Sequence, residues 1–199
     1  MLIAYIHGFL SGPNALKSRL LRDFLKKSHP EISFTAPDFP DTPREAEQAL
    51  EEFARSCAKE ELCLVGSSMG GFFSTLLSKR HKLKAALLNP CCHPQDFLSS
   101  YTGEGYNPET HRHFEIKPEM WHFLSELDQT LESFDRSLIK VYLQTGDEVL
   151  DYRRSLEFYK GSRMKVIEGG CHTFENFEQI IPDILQFFFE GRDKNQAGK

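Results

Sequence analysis

The feature that most constrains this chain is an alternation. Six short apolar runs are interleaved with stretches of helical spacing. The runs are MLIAYIHG (1–8), ISFTAPDF (32–39), ELCLVGS (61–67), LKAALLNP (83–90), SLIKVYLQTGD (137–147) and RMKVIEGG (163–170). Near-continuous apolar strands are those buried on both faces, and amphipathic helices between them return the chain so that successive strands run parallel. The expected fold is therefore α/β, a mostly parallel sheet of about six strands flanked by helices. In such sheets ligands bind outside the carboxyl ends of the strands, so the residues just after each strand carry the functional reading.

The helical stretches have their own signals. PNALKSRLLRDFLKKS puts Leu16, Leu20, Leu21, Phe24 and Leu25 on one face, with Pro13 near its first position. In TPREAEQALEEFARSCAKE, Thr42 and Glu45 form a capping-box pair and Pro43 takes the first helical position. GGFFSTLLSKRH and YRRSLEFYKG read as helices, as does Glu178 to Phe189, with Pro182 near its start or at a kink. Residues 191–199 read as a polar, frayed tail.

The connection from about 91 to 136 is too long for a plain loop. Two helical pieces, HPQDFLSSY and PEMWHFLSELDQTL, flank TGEGYNPETHRHFEI, which suggests a small helical cap over one end of the sheet. Its aromatic residues Phe97, Tyr101, Tyr106, Phe114, Trp121 and Phe123 suit either an acyl pocket or the cap's own core. Phe97, Tyr101 and Trp121 are taken as substrate-binding.

Bulk properties narrow the class. The 199 residues suit one domain. A formal net charge of −5 argues against a nucleic-acid partner. No apolar run reaches membrane-spanning length, and MLIAYIHGF enters a strand with no basic n-region, so no signal peptide is expected. The five cysteines, Cys57, Cys63, Cys91, Cys92 and Cys171, are odd in number and irregularly spaced, which points to reduced thiols and a cytoplasmic location. Cys91, Cys92, His93, His111 and His113 match no standard zinc spacing, so no metal is expected.

The third strand ends in Gly66-Ser67-Ser68-Met69-Gly70, a G-x-S-x-G sequence. A strand turning sharply into a helix pushes the central side chain outward, and small flanking residues relieve the crowding. The helix N-terminus then faces Ser68, and the Met69 N–H is placed to hold an oxyanion. A serine hydroxyl needs a base. His172, in VIEGGCHTF, is the histidine that follows a late strand. Asp147, in LQTGDEVLDY, comes first after the fifth strand, ahead of its rivals Glu148 and Asp151; Asp151 better suits capping the next helix. The order Ser68, Asp147, His172 is the one this architecture uses. The loop IHGFLSGP supplies the second oxyanion donor, the Phe9 N–H, with His7 bracing it.

The segments YIHGFLSGP, LVGSSMGGFF, LLNPC, LQTGDEVLDYR and VIEGGCHTFENFE together resemble the α/β-hydrolase fold over nearly the whole chain. More narrowly they are similar to the small bacterial esterases of the YqiA type. The resemblance implies a serine carboxylesterase acting on small-molecule esters with Ser68 as nucleophile, Asp147 as acid and His172 as base. It also implies that no metal or organic cofactor is needed. Rivals are a thioesterase, acyltransferase or peptidase on the same triad, and a non-catalytic binding protein of the same fold.

Overall fold

The computed structural model describes residues 1–191, so the expected frayed tail beyond Gly191 lies outside the described residues. In chain order the elements are β1 Leu2–Ile6, α1 Leu16–Ser28, β2 Ser33–Thr35, α2 Pro43–Ser56, β3 Leu62–Ser67, α3 Met69–His81, β4 Lys84–Leu88, α4 Pro94–Leu98, β5 Gly103–Asn107, β6 Arg112–Ile116, α5 Pro118–Gln129, β7 Ile139–Gln144, α6 Tyr152–Phe158, β8 Arg163–Ile167 and α7 Ile181–Phe189. The six expected strands form one sheet in the order β2-β1-β3-β4-β7-β8, with every pairing parallel.

Alternation of side chains divides the core in two. Ala4, Ile6, Leu64, Leu87 and Val141 point to one face, where α2, α3 and α5 cover them. Ile3, Tyr5, Val65, Ala86, Leu88 and Tyr142 point to the other, against Leu21 and Leu25 of α1 and Ile181, Ile184 and Phe188 of α7. Each such large side chain, fully buried, contributes about 1.5–3 kcal/mol. α3 runs beneath β3 with Met69 to Ser78 all buried, and the hydroxyls of Ser74, Thr75 and Ser78 are satisfied by backbone carbonyls.

Parallel pairing brings the carboxyl ends of the strands to one edge. The registers Ile6↔Gly66, Ser67↔Leu88, Leu88↔Tyr142 and Gln144↔Ile167 are continuous. The loops after β1, β3, β4, β7 and β8 therefore emerge side by side.

Three expectations need correction. The insert between β4 and β7 is not purely helical: between α4 and α5 it carries the antiparallel hairpin β5–β6, paired from Gly103↔Ile116 to Asn107↔Arg112. Alternating exposed and less exposed residues in GEGYN give period two rather than helical period. Leu16 does not join the buried face of α1; it opens the helix and is 62% exposed. Thr42 bonds the Glu45 carboxylate side chain to side chain rather than capping a backbone N–H. Pro43 and Pro182 both sit in the first turns of their helices, so Pro182 marks a start and not a kink.

Candidate functional site: a serine, a histidine and an aspartate at the strand ends

Ser68 occupies the turn from β3 into α3 with φ 54° and ψ −122°. A non-glycine residue there is strained, and such strain persists only where surroundings over-determine it. Here the Ser68 N–H donates to the Leu88 carbonyl at 3.0 Å. The Ser68 carbonyl accepts from Gly71 N–H at 2.8 Å and Cys91 N–H at 3.0 Å. Gly70 is required by close approach: a Cβ there would be driven into the carbonyl oxygens of Ile6 and His7. The serine therefore rests on the first turn of a buried helix wedged against β1.

His172 Nε2 lies 3.0 Å from Ser68 Oγ, and His172 Nδ1 lies 2.9 and 3.0 Å from the two carboxylate oxygens of Asp147. The Asp147 side chain is 2% exposed and that of His172 18%. Asp147 Oδ1 also accepts the N–H groups of Val149 (2.9 Å) and Leu150 (2.8 Å), which fixes the carboxylate at the end of β7. Glu148, the rival acid, accepts the backbone N–H of His172 at 2.9 Å and not its ring; that bond holds its carboxyl below the usual range. Asp151 caps α6 by accepting the Arg153 N–H at 3.0 Å.

The loop after β1 runs against the serine: a Cβ added at Gly8 would stand 3.3 Å from Ser68 Cβ. Among the described residues no acceptor takes the Phe9 or Met69 N–H. His7 is buried, donates from Nδ1 to the Gly8 carbonyl at 2.9 Å and stacks on Phe39 at 3.9 Å between ring centroids. Burial pushes its pKa down, which favours the neutral ring.

A cavity of about 660 Å³ opens beside Ser68 and His172, lined by Tyr5, Phe9, Leu16, Leu20, Lys17 and Phe174 among others. It lies between the start of α1 and the loop after β8. Trp121, Tyr101 and Phe97, the residues expected to contact substrate, are not among those that line it. Trp121 packs against the buried core, Phe97 lines a separate cavity of about 310 Å³, and Tyr101 and Phe97 pack edge-on against the Phe9 ring at 5.2 and 6.3 Å. The Phe97 and Tyr101 rings pack the insert onto the loop after β1. Phe114 joins them at 5.4 Å from Phe9, Phe123 lies under Arg44, and Tyr106 bonds His111 on the hairpin.

Among the described residues no three His, Cys, Asp or Glu side chains converge as a metal-binding group. Cys91 and Cys92 are buried thiols with raised pKa values, and His93 pairs with Asp128 at 2.7 Å. No described helix is long and apolar enough to cross a membrane.

Several residues that hold the site did not stand out in the sequence. Asn89, just past β4 with φ 40°, donates from Nδ2 to the carbonyls of Cys171 (3.0 Å) and His172 (3.3 Å), and its Oδ1 accepts Gln144 N–H. Gln144 Oε1 accepts Cys171 N–H (3.1 Å) and Glu175 N–H (2.9 Å), while its Nε2 donates to the Glu175 carbonyl (2.8 Å). Gly170, at φ 73°, lies against Gln144 so closely that a Cβ would overlap the amide. Lys17 Nζ donates to the Thr173 carbonyl at 2.6 Å, and burial pushes this ammonium down to about 8. A polar glutamine inside the apolar run VYLQ was the available signal.

The fold is shared with solved α/β hydrolases. Est1E from Butyrivibrio proteoclasticus superposes with a TM-score of 0.71 at 16% identity, covering 100% of this chain and 88% of that one. The monoacylglycerol lipase of Paleococcus ferrophilus gives 0.69 at 13% identity, with 94% and 93% covered. Mouse alpha/beta hydrolase domain-containing protein 10 gives 0.67 at 18% identity, with 93% and 89% covered. Identities this low speak to the fold. Residues 1–189 match the family described as Uncharacterised protein family (UPF0227), and the chain belongs to that family, the YqiA type that its motifs resemble.

Proposed function

We propose that this protein is a serine hydrolase that cleaves carboxylic esters through Ser68, His172 and Asp147. The observation that carries the reading is the continuous hydrogen-bonded line from Ser68 Oγ through the His172 ring to a buried Asp147 carboxylate, at 3.0 and 2.9 Å. The Asp147 carboxylate accepts from Nδ1, so that proton stays there and Nε2 is left free to act as base.

In the first half-reaction His172 Nε2 takes the hydroxyl proton as Ser68 Oγ bonds to the ester carbonyl carbon. The electron pair moves onto the carbonyl oxygen, where the N–H groups of Phe9 and Met69 receive it; one such donor is typically worth about 10²–10³ in turnover. Collapse breaks the bond to the alcohol oxygen, which leaves with the proton from His172. Water then adds to the acyl-Ser68 ester with His172 again as base, and breaking the Ser68 bond releases the acid and restores the hydroxyl. Asp147 holds the imidazole in place and stabilises its cationic form in both halves.

The esterases and lipases of the same fold support ester substrates as the class. The apolar wall of Tyr5, Phe9, Leu16, Leu20 and Phe174 suits the apolar portion of such an ester. The test is labelling with a fluorophosphonate followed by mapping of the modified residue. Adduct on Ser68 that disappears in His172→Ala, with hydrolysis of 4-nitrophenyl esters lost in Ser68→Ala, is the expected result. A Ser68→Ala protein that keeps its turnover would overturn the reading.

A further inference from the structure

The insert reaches the cavity through Glu109 and makes a buried polar contact with the oxyanion loop. The point of contact is Asn107, at the end of β5 and 1% exposed. Its Nδ2 donates to the Ser11 carbonyl at 2.9 Å and to Asp41 Oδ1 and Oδ2 at 3.0 and 2.9 Å. Its Oδ1 accepts Glu109 N–H (2.9 Å) and Thr110 N–H (3.3 Å), which ties off the hairpin turn. Asp41, in the loop between β2 and α2, accepts the Leu10 N–H at 3.2 Å. Leu10 has φ 55°, a left-handed conformation that a leucine keeps only where its neighbours hold it. Residue 10 is bonded to Asp41 and residue 11 to Asn107. Both follow directly on Phe9, whose ring is boxed in by Phe97, Tyr101 and Phe114 of the insert.

We propose that Asp41 and Asn107 are positioning residues that set the Phe9 N–H for the oxyanion, so that the insert acts as the scaffold of the oxyanion loop. This rests on the hydrolase reading, in which the Phe9 N–H is one of the two donors. Asp41 holds the strained Leu10 peptide, and Asn107 holds Asp41 and the next carbonyl. Loss of either lets the loop relax toward an ordinary backbone conformation and turns the Phe9 N–H away. A donor displaced by about an ångström loses much of its value to the transition state while ground-state binding is little affected.

The experiment uses the full chain, with 4-nitrophenyl butyrate as substrate. An arylboronic acid serves as tetrahedral analogue, the matching butyramide as ground-state ligand, and melting temperature as control. In Asp41→Ala the expected result is a fall in kcat of about tenfold, with boronic-acid affinity falling by a similar factor and butyramide binding within about twofold of wild type. Asp41→Asn, which keeps an acceptor for the Leu10 N–H, recovers part of both losses. Asn107→Ala lowers the same two quantities, and the double variant with Asp41→Ala is less than additive because both act through one N–H. Should Asn107→Ala fail to fold, the two Asp41 variants decide alone. Unchanged kcat and boronic-acid affinity in Asp41→Ala, with an active wild type, overturn the inference and leave the hydrolase reading standing. An equal loss of boronic-acid and butyramide binding overturns it as well, by showing a general loss of structure. A wild-type protein that neither labels at Ser68 nor hydrolyses ester removes the hydrolase reading and the inference with it.

Discussion

The serine side and the histidine side of the site are held in opposite ways. Ser68 sits between the central strand β3 and the buried first turns of α3, fixed by backbone hydrogen bonds and by glycines against which main chain packs. His172 follows the edge strand β8, three of whose five residues are exposed. Its loop is held by side chains reaching in from elsewhere: Asn89, Gln144, Glu148 and Lys17. The nucleophile is thus positioned by the core itself, and the base by polar contacts that can be lost one at a time. Damage on the serine side is expected to register as lost stability. Damage on the histidine side is expected to register first as lost activity.

The largest expected effect is on the serine side. Gly70→Ala drives a methyl into the carbonyls of Ile6 and His7, backbone that cannot yield without displacing β1. A loss of about 3 kcal/mol or more is expected, read as a fall of about 10 °C in melting temperature.

Asn89→Ala comes next. It strands the Gln144 N–H and removes donors from two carbonyls of the histidine loop. A loss of about 2 kcal/mol is expected, with ester hydrolysis falling more than about tenfold. Amide exchange is expected to quicken at residues 169–175 and stay slow in β3. An exchange increase in both places would erase the contrast between the two sides.

A smaller effect follows from Lys17. Its folded-state pKa of about 8 lies below the ordinary 10.5, so between these values the unfolded chain binds the extra proton. This group's contribution to stability therefore rises with pH across that window. The stability difference between wild type and Lys17→Met, followed by denaturant titration from pH 7.5 to about 10.5, should shift in favour of wild type as pH rises. A flat difference would mean that the ammonium is solvated and the clamp on Thr173 is weak.

The smallest effect is expected at Glu148, which is fully exposed and needs only an oxygen for the His172 N–H. Glu148→Gln keeps that oxygen and should leave both melting temperature and turnover within error. A large loss of turnover would move Glu148 from loop support into the reacting set.

By itself the sequence determined the parallel sheet and the turn that carries Ser68. Both are local: apolar runs of strand length alternating with amphipathic helices fix the sheet, and G-x-S-x-G between a buried strand and a buried helix fixes the turn. It also placed Asp147 and His172 after their strands, because parallel pairing sends every strand end to one edge. What the tertiary structure alone decided was how those ends are held and where the cavity opens. Asn89, Gln144, Asp41 and Asn107 reach partners 27 to 96 residues away, and no spacing rule reports such partners. The insert's aromatic residues read equally well as pocket or packing, since composition does not say which way a ring faces. In the tertiary structure Phe97, Tyr101 and Phe114 pack on Phe9, and a cavity opens between α1 and the loop after β8. Local pattern fixes an element and its end; only long-range contact fixes what stands opposite it.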